Sequence, residues 1–157
     1  ADLSNNYGNL VQRISSFIVK NCNSEISISD NFSNEDKKLI TILEVKFKEY
    51  HSHLILQQID KSIKSIFELL TETNVYVDKQ APWKLKNSDS DRMSTVLFLT
   101  SNIIIKSTIM LLPIIPSSAE KILKFFYIDK KLRNFDSITK FSKIKINNPS
   151  IIFPRIE

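Results

Sequence analysis

Apolar residues recur at three- and four-residue steps along most of this chain, and this spacing restricts it to a helical fold. The first run predicts an amphipathic helix over residues 1 to about 20 and consists of Leu3, Tyr7, Leu10, Ile14, Phe17 and Ile18. Similar runs predict helices over residues 39–50, 54–74 and 96–112, and from 117 or 118 to about 127. A chain of 157 residues can bury one continuous core. We therefore predict a single all-α domain.

The helical pattern divides the chain into a bundle, residues 1–127, and a C-terminal tail, residues 128–157. Residues 133–157 have scattered Ile and Phe, two prolines and no sustained period, so we expect an irregular tail packed on the bundle in the same domain. Residues 21–34 are rich in Asn and Ser and predict a connection that ends at Ser33 or Asn34 as a helix N-cap. Residues 86–92 predict a loop.

The most apolar stretch, residues 96–115, predicts a buried bundle helix rather than a membrane span. It is interrupted by Asn102, Lys106 and Pro113, and a spanning helix needs roughly 18 or more uninterrupted apolar residues. We expect no membrane partner.

The composition argues against catalysis and against a metal site in this chain. With Gly8 as its only glycine, the chain lacks a phosphate-cradling loop and a dinucleotide fingerprint. Cys22, the only cysteine, excludes an intrachain disulfide and fits a reducing, cytoplasmic compartment. His51 and His53 would point ~200° apart on a helix and could not bind one metal together. We predict no catalytic residue, no cofactor and no metal site here.

A corner at residues 74–83, with the sequence NVYVDKQAPW, presents the only tryptophan of the chain. Pro82 disfavours the helical conformation at Ala81 and suits the first turn of a new short helix that contains Trp83 and Leu85. An indole held at such a corner could stack on an unpaired base. A tryptophan in a helical domain is, however, more often a core anchor, so the residues alone leave both interpretations open.

A second pattern, GNLVQR at residues 8–13, places Asn9 and Arg13 four residues apart on a face of the first helix that differs from its apolar face. An amide and a guanidinium can hydrogen-bond to base edges and distinguish cytosine from uracil. Such a pair is also common on an ordinary solvated helix surface. Spacing alone does not separate these two possibilities.

Together, the two patterns closely resemble the anticodon-binding domain of bacterial-type methionyl-tRNA synthetases. A weaker resemblance continues through LLPIIPSSAEKIL at residues 111–123 to the ending IIFPRIE, and so covers nearly the whole chain. It implies the anticodon-binding helical bundle of class Ia aminoacyl-tRNA synthetases. By the same resemblance, Asn9, Arg13 and Trp83 contact the anticodon, and Gly8 and Pro82 support them. Tyr76, Val77 and Asp78 then serve packing and helix-end hydrogen bonding.

The resemblance also implies a longer parent protein, a methionine-tRNA ligase that uses ATP and Mg²⁺ and often has zinc in its catalytic half. The ATP-handling motifs HIGH and KMSKS are missing here, so this chain alone should not aminoacylate tRNA. The chain begins at Ala1 without Met, which we interpret as a start inside the parent. The expected partners are methionine tRNA, through its anticodon loop, and the parent's catalytic domain.

The positive charge is concentrated at the C-terminal end. Residues 121–157 contain nine basic and three acidic residues, and residues 1–120 contain 13 basic and 14 acidic residues. This tail could bind phosphates, or the excess could reflect a general bias of the chain toward Lys.

Two other functions remain open from the sequence. A protein-interaction module would expose an apolar patch near residues 97–112. The bundle of a related class Ia synthetase for another aliphatic amino acid would share the architecture.

Overall fold

The chain forms a helical bundle in a computed structural model that describes residues 3–27, 31–133 and 143–145. A π-helical turn, Leu3–Gly8, leads into helix α1. The α-helices are α1 (Asn9–Asn21), α2 (Asn34–Ile55), α3 (Ile59–Gln80), α4 (Pro82–Leu85), α5 (Ser90–Leu111) and α6 (Pro116–Phe125). Two short strands, β1 (Glu25–Ser27) and β2 (Lys143–Lys145), and a 3-10 turn, Lys130–Leu132, complete the described elements. The prediction of an all-α bundle is confirmed.

Helix α5 is the central element of the core, with 17 of its 22 residues buried. By length and composition it could cross a membrane, but 89% of its most apolar window is buried inside the protein. The prediction of a buried bundle helix is therefore confirmed, although α5 begins at Ser90, six residues earlier than predicted. Asp89 caps it by accepting a hydrogen bond from the Arg92 backbone N–H at 3.1 Å. Arg92 thus lies in a helix and not in the predicted loop.

Helices α2 and α3 form an antiparallel hairpin that packs against α5. At the start of α2, the Ser33 side chain accepts from the Asp36 N–H, and the Asp36 side chain accepts from the Ser33 N–H, a reciprocal capping box. Ser33 is therefore the cap that the sequence offered as one of two choices.

The turn between α2 and α3 corrects the prediction of a helix over residues 54–74. α2 continues to Ile55, Gln57 adopts a left-handed φ of 58°, and α3 runs from Ile59 to Gln80. Ile55 and Ile59, which belong to the apolar run that predicted this helix, are 80% and 54% exposed. Apolar spacing continued across a turn that contains neither Gly nor Pro, so periodicity could not locate it.

The tail and the residue 21–34 connection are more regular than predicted. Strands β1 and β2 pair antiparallel, with Ile26 opposite Ile144. Three-residue strands are too short to show an alternating pattern, so periodicity could not predict them. The other residues of the predicted tail beyond Arg133 lie outside the described residues. Helix α6 begins at Pro116 and has no side-chain cap, whereas the sequence predicted a start at residue 117 or 118.

Gly8 joins the π-helical turn to α1 with φ of −60°, a value that any residue can adopt. The prediction that it lies within the first helix therefore holds, although the first turns are π-helical and not α-helical. Next to it, Tyr7 is fully buried, and its hydroxyl hydrogen-bonds with the Thr108 hydroxyl on α5. This contact ties the start of α1 to the core.

Candidate nucleic-acid interface

Three elements meet at the Arg13 side chain. Arg13 lies on α1, and its Nη2 donates to Oδ1 of Asp78 on α3 at 2.8 Å. The same guanidinium lies over the ring of Trp83 on α4, with 5.3 Å between its carbon and the ring centroid, close enough for a cation–π contact. We call the surface formed by Asn9, Arg13, Asp78 and Trp83 the Arg13 face.

Trp83 points away from the core because of the corner that precedes it. Ala81 ends α3 in the left-handed conformation, with φ of 45° and ψ of 62°, and Pro82 starts α4 as a buried residue. Pro82 therefore fills the interior position, and Trp83, 41% exposed, comes next on the outside. Of the two interpretations that the sequence left open, the core anchor is wrong.

Asn9 and Arg13 line one open groove along α1. The groove has a volume of about 660 Å³ and is lined by Asn9, Gln12, Arg13, Ser16, Phe17, Lys20 and Asn21. The polar part of its lining consists of three amides, one hydroxyl and two cations, and Phe17 is its apolar residue. Arg13 belongs to both this groove and the contact with Trp83. The amide, the guanidinium and the indole are thus linked on one exposed face.

A second group of polar and charged side chains, which we call the Asp36 cluster, consists of Asp36, Tyr76, Gln80 and Arg92. Asp36 is fully buried, and the Arg92 guanidinium donates to its two carboxylate oxygens at 2.5 and 2.9 Å. The Tyr76 hydroxyl donates to Oδ1 at 2.5 Å. The Ser33 backbone N–H also donates to Oδ2, so the buried carboxylate accepts four hydrogen bonds.

The electrostatics of the cluster favour an ionised Asp36. Burial by itself raises the pKa of this carboxyl, but the hydrogen bonds from Arg92, Tyr76 and Ser33 outweigh it and hold the pKa below its usual range. Burial, together with the hydrogen bond to Asp36, raises the pKa of Tyr76 far above its ordinary value. The hydrogen bond to Asp36 raises the pKa of Arg92. These shifts favour an ionised Asp36 between a protonated Tyr76 and a protonated Arg92.

The Asp36 cluster holds the end of α3 from which the Trp83 corner departs. Arg92 also donates to the Gln80 side-chain oxygen at 2.6 Å, and Gln80 donates to Glu35 at the start of α2. Gln80 is the residue immediately before Ala81. Three helices, α2, α3 and α5, are joined at this point, which fixes the direction of the corner relative to the core.

The structure places Tyr76 and Val77 in packing roles, as predicted, with Val77 fully buried. Asp78 differs from the prediction, because it is the ion-pair partner of Arg13 and not a helix-end acceptor. Sixty-five positions separate the two residues, and no spacing rule connects residues that far apart. Only the location of Asp78 one helical turn before the corner could have suggested that it lies near the site.

The histidines take part in local contacts. His51 lies edge-on against the rings of Phe47 and Tyr50, and His53 Nδ1 lies 3.0 Å from the Gln58 side-chain oxygen. Within the described parts of the chain, no three His, Cys, Asp or Glu side chains are grouped so that they could hold a metal ion.

The apolar patch expected for a protein-interaction module is not at residues 97–112. Those residues lie in the buried helix α5 and the turn after it. Large exposed apolar side chains occur instead at the turn between α2 and α3, where they are Leu54, Ile55, Leu56 and Ile59. The specific prediction of the protein-interaction alternative is therefore wrong.

Comparison with protein families finds one match that covers most of the chain. Residues 27–157 match the model described as the anticodon binding domain of methionyl tRNA ligase. This range contains Trp83 and Asp78 but begins after Asn9 and Arg13.

Curated relatives extend the match over the whole chain. It is 35% identical to the methionine–tRNA ligase of Rickettsia conorii, over 100% of this chain and 32% of that protein. It is 30% identical to the methionine–tRNA ligase of Rhizobium meliloti, over 99% of this chain and 31% of that protein. The chain thus spans about a third of the length of these relatives.

Solved structures agree with these matches. The free Mycobacterium tuberculosis methionyl-tRNA synthetase superposes with a TM-score of 0.89 at 26% identity, over 100% of this chain and 33% of the synthetase. The same enzyme bound to methionyl-adenylate superposes with a TM-score of 0.88 at 26% identity, over 98% of this chain and 32% of the synthetase. The fold and its order of elements are therefore those of one part of these enzymes.

Proposed function

This chain belongs to the family of anticodon-binding domains of methionyl-tRNA ligases, and from that premise we propose that its Arg13 face binds the anticodon of methionine tRNA. The single observation that supports this assignment best is the exposure of Trp83 at 41% beside a guanidinium. A large indole is costly to leave in water, and here a buried proline directs it outward. Such an arrangement suits a ligand with a flat aromatic surface.

Trp83 supplies affinity in this proposal. An unpaired base stacked on an aromatic ring is stabilised by about 1–3 kcal/mol, with little preference among the four bases. In the free protein Arg13 occupies part of the ring surface, so a base can stack on the remaining surface or displace the guanidinium. Stacking alone does not select an anticodon.

Arg13 and Asn9 supply selectivity. A guanidinium has five N–H donors, and Asn offers both a donor and an acceptor, so the two side chains can match the hydrogen-bonding edge of one base and leave groups unpaired on another. Asp78 contacts only one guanidinium nitrogen, Nη2. Arg13 can therefore keep its hydrogen bond to Asp78, which orients the guanidinium, and still donate to a base from its other N–H groups.

We further propose that the chain acts as the tRNA-selecting part of a cytoplasmic methionine-tRNA ligase. The parent would activate methionine with ATP and Mg²⁺ and transfer it to the tRNA in its remaining two thirds, where zinc would also be held. Binding of the correct anticodon here would position the distant acceptor end, so the effect of this domain should appear in kcat/KM of the parent. The chain alone has no part in the chemical step.

The test is a calorimetric titration of the chain with the methionine anticodon stem-loop and with a one-base variant, at one stated salt concentration. The unmodified chain should bind the cognate stem-loop more tightly. Arg13→Ala should reduce this preference by about 1–3 kcal/mol while it lowers affinity for the variant much less. Arg13→Lys keeps the charge but not the fork, and should also lose the preference.

A matched control is Lys48→Gln, which removes one exposed positive charge from α2 and should leave the preference unchanged. If Arg13→Ala weakens both stem-loops equally, Arg13 contacts phosphate and the proposed role in base selection is wrong. If the unmodified chain shows no preference, the assignment of the Arg13 face to the anticodon is wrong.

A further inference from the structure

A second exposed aromatic residue lies among basic side chains at the end of α6. Here a cavity of about 450 Å³ is lined by Glu120, Lys124, Tyr127, Ile128, Asp129, Lys130 and Arg133. We call this region the Tyr127 surface. It shares no residue with the Arg13 face, and the anticodon proposal gives it no role.

The backbone fixes Tyr127 in an outward position. The N–H of Tyr127 donates to the Lys124 carbonyl at 3.0 Å, and the N–H of Ile128 donates to the Leu123 carbonyl at 2.8 Å, as in a left-handed helix C-terminus. Ile128 is buried, whereas Tyr127 is 55% exposed. Tyr127 has φ of 56°, a value that favours glycine or asparagine over an aromatic residue. The ring thus lies in solvent, at a backbone position that disfavours an aromatic residue.

Arg133 is a further basic residue in the lining of the same cavity. Its guanidinium forms a two-point ion pair with Glu120, including an Nη2–Oε2 bond of 2.9 Å. Its Nε is buried and has no hydrogen-bond partner within the described residues. A buried N–H donor without an acceptor is rare in folded proteins, but this atom is closed to solvent, so what Arg133 contributes to the site is the neutralisation of Glu120.

The charge around the cavity is positive. Residues 120–133 contain five basic residues and two acidic ones, and the acidic Glu120 is already neutralised by Arg133. Lys124 and Lys130 line the cavity together with Tyr127, and its two carboxylates are Asp129 and the Glu120 that is paired with Arg133. Single-stranded RNA binds to such a combination, because its phosphates pair with lysine ammonium groups and one of its bases stacks on the aromatic ring.

We propose that the Tyr127 surface is a second RNA-binding site, which takes one unstacked nucleotide of a tRNA together with its flanking phosphates. Tyr127 stacks on the base, and Lys124 and Lys130 bind phosphate oxygens. Because stacking and phosphate contacts do not depend on base identity, this site adds affinity without sequence preference. The tRNA as ligand rests on the function proposed above.

The test uses the 157-residue chain with Trp83→Ala, which weakens the first site, and a single-stranded RNA oligonucleotide without the methionine anticodon. Binding is measured by filter retention over a range of salt concentrations. Lys124→Gln with Lys130→Gln should lower affinity about tenfold and reduce the magnitude of the log–log salt slope by about 1.4, as for the loss of two phosphate contacts on a single strand. Tyr127→Ala should lower affinity about tenfold as well, and Tyr127→Phe should restore it.

Lys48→Gln with Lys61→Gln is the matched control, since it removes two exposed charges from α2 and α3. The proposal is wrong if this control loses as much oligonucleotide affinity as the Lys124/Lys130 variant. It is also wrong if Tyr127→Ala binds the oligonucleotide with full affinity. The two proposals fail separately. Loss of cognate preference in the titrations above contradicts only the Arg13 face, and an unchanged oligonucleotide affinity here contradicts only the Tyr127 surface.

Discussion

Two Arg–Asp pairs lie near the C-terminal end of α3, and they differ in how far their side chains are exposed to solvent. In the Asp36 cluster the carboxylate is fully buried and the Arg92 side chain is 19% exposed. On the Arg13 face, the Arg13 and Asp78 side chains are 43% and 62% exposed. A buried pair without one partner leaves an uncompensated charge in the interior, whereas an exposed pair is screened by water and contributes little to stability.

The comparison explains how the domain can combine a rigid fold with an adaptable surface. The buried pair joins α2, α3 and α5 and should be nearly permanent. The exposed pair can exchange contacts with a ligand at small cost, because water already competes for both partners. The corner with Trp83 follows Gln80, which Arg92 contacts, and its indole contacts Arg13, so its position is set by one pair and its contacts by the other.

The largest expected effect is that of Asp36→Asn, which should lower the free energy of unfolding by about 3–5 kcal/mol. The neutral amide leaves the Arg92 charge unpaired and loses the ionised acceptor of Tyr76. Urea unfolding followed by far-UV circular dichroism measures the loss. The double variant Asp36→Leu with Arg92→Met, which removes both charges, should recover much of it. If Asp36→Asn lowers the free energy of unfolding by less than about 1 kcal/mol, the buried pair contributes no more to stability than an exposed one.

Trp83→Ala should have the opposite profile, with a large effect on binding and a small one on folding. Affinity for the methionine anticodon stem-loop should fall by about 1–3 kcal/mol because the stacking surface is lost. Trp83→Phe keeps a smaller ring, so its affinity in calorimetric titrations should lie between the affinities of the unmodified chain and of Trp83→Ala. If Trp83→Ala unfolds the domain, the indole serves the core, contrary to its exposure.

Acid should destabilise the fold through Asp36. Its pKa is lower in the folded state than in the unfolded state, so its contribution is complete above the unfolded value of about 3.9 and is lost as the pH falls through the folded value. The difference in unfolding free energy between the unmodified chain and Asp36→Asn should therefore shrink below about pH 4, by up to about 1.4 kcal/mol per pH unit. Urea midpoints measured from about pH 6 to about pH 3 give this difference. A constant difference over that range would show that Asp36 is not ionised in the fold.

The smallest effect on stability is expected for Asp78→Asn, the same chemical change on the exposed pair. The free energy of unfolding should change by less than about 1 kcal/mol. Cognate preference should nevertheless decrease, because Arg13 loses the partner that orients its fork. Calorimetric titration with the two stem-loops tests this, and undiminished preference would show that Asp78 has no orienting role.

The sequence predicted the features that depend on neighbours along the chain. Apolar spacing indicated the longer helices, Ser33 or Asn34 was predicted to cap the start of α2, and Pro82 predicted the short helix after the corner. The resemblance supplied Asn9, Arg13 and Trp83 as candidate contacts, and the structure links them on one face. Their contacts with RNA remain predictions.

Features that depend on distant residues were out of reach. The Asp36 cluster joins positions that are 40 and 56 residues apart, and β1 pairs with β2 across more than 100 positions. Both require the folded chain, because neither pattern has a local signature. The exposed Ile55 and Ile59 show the converse limit, since apolar spacing identifies a helix but not which apolar residues the core accepts.

The placement of Trp83 gives the domain a built-in optical probe. As the only indole in the chain, it is the sole source of emission when light is chosen to bypass the four tyrosines. It lies at the proposed contact with the anticodon, with a guanidinium across its ring, so the arrival of a stacked base should quench or shift its fluorescence without any attached dye. Rates of RNA arrival and departure could then be followed in the unmodified chain by rapid mixing.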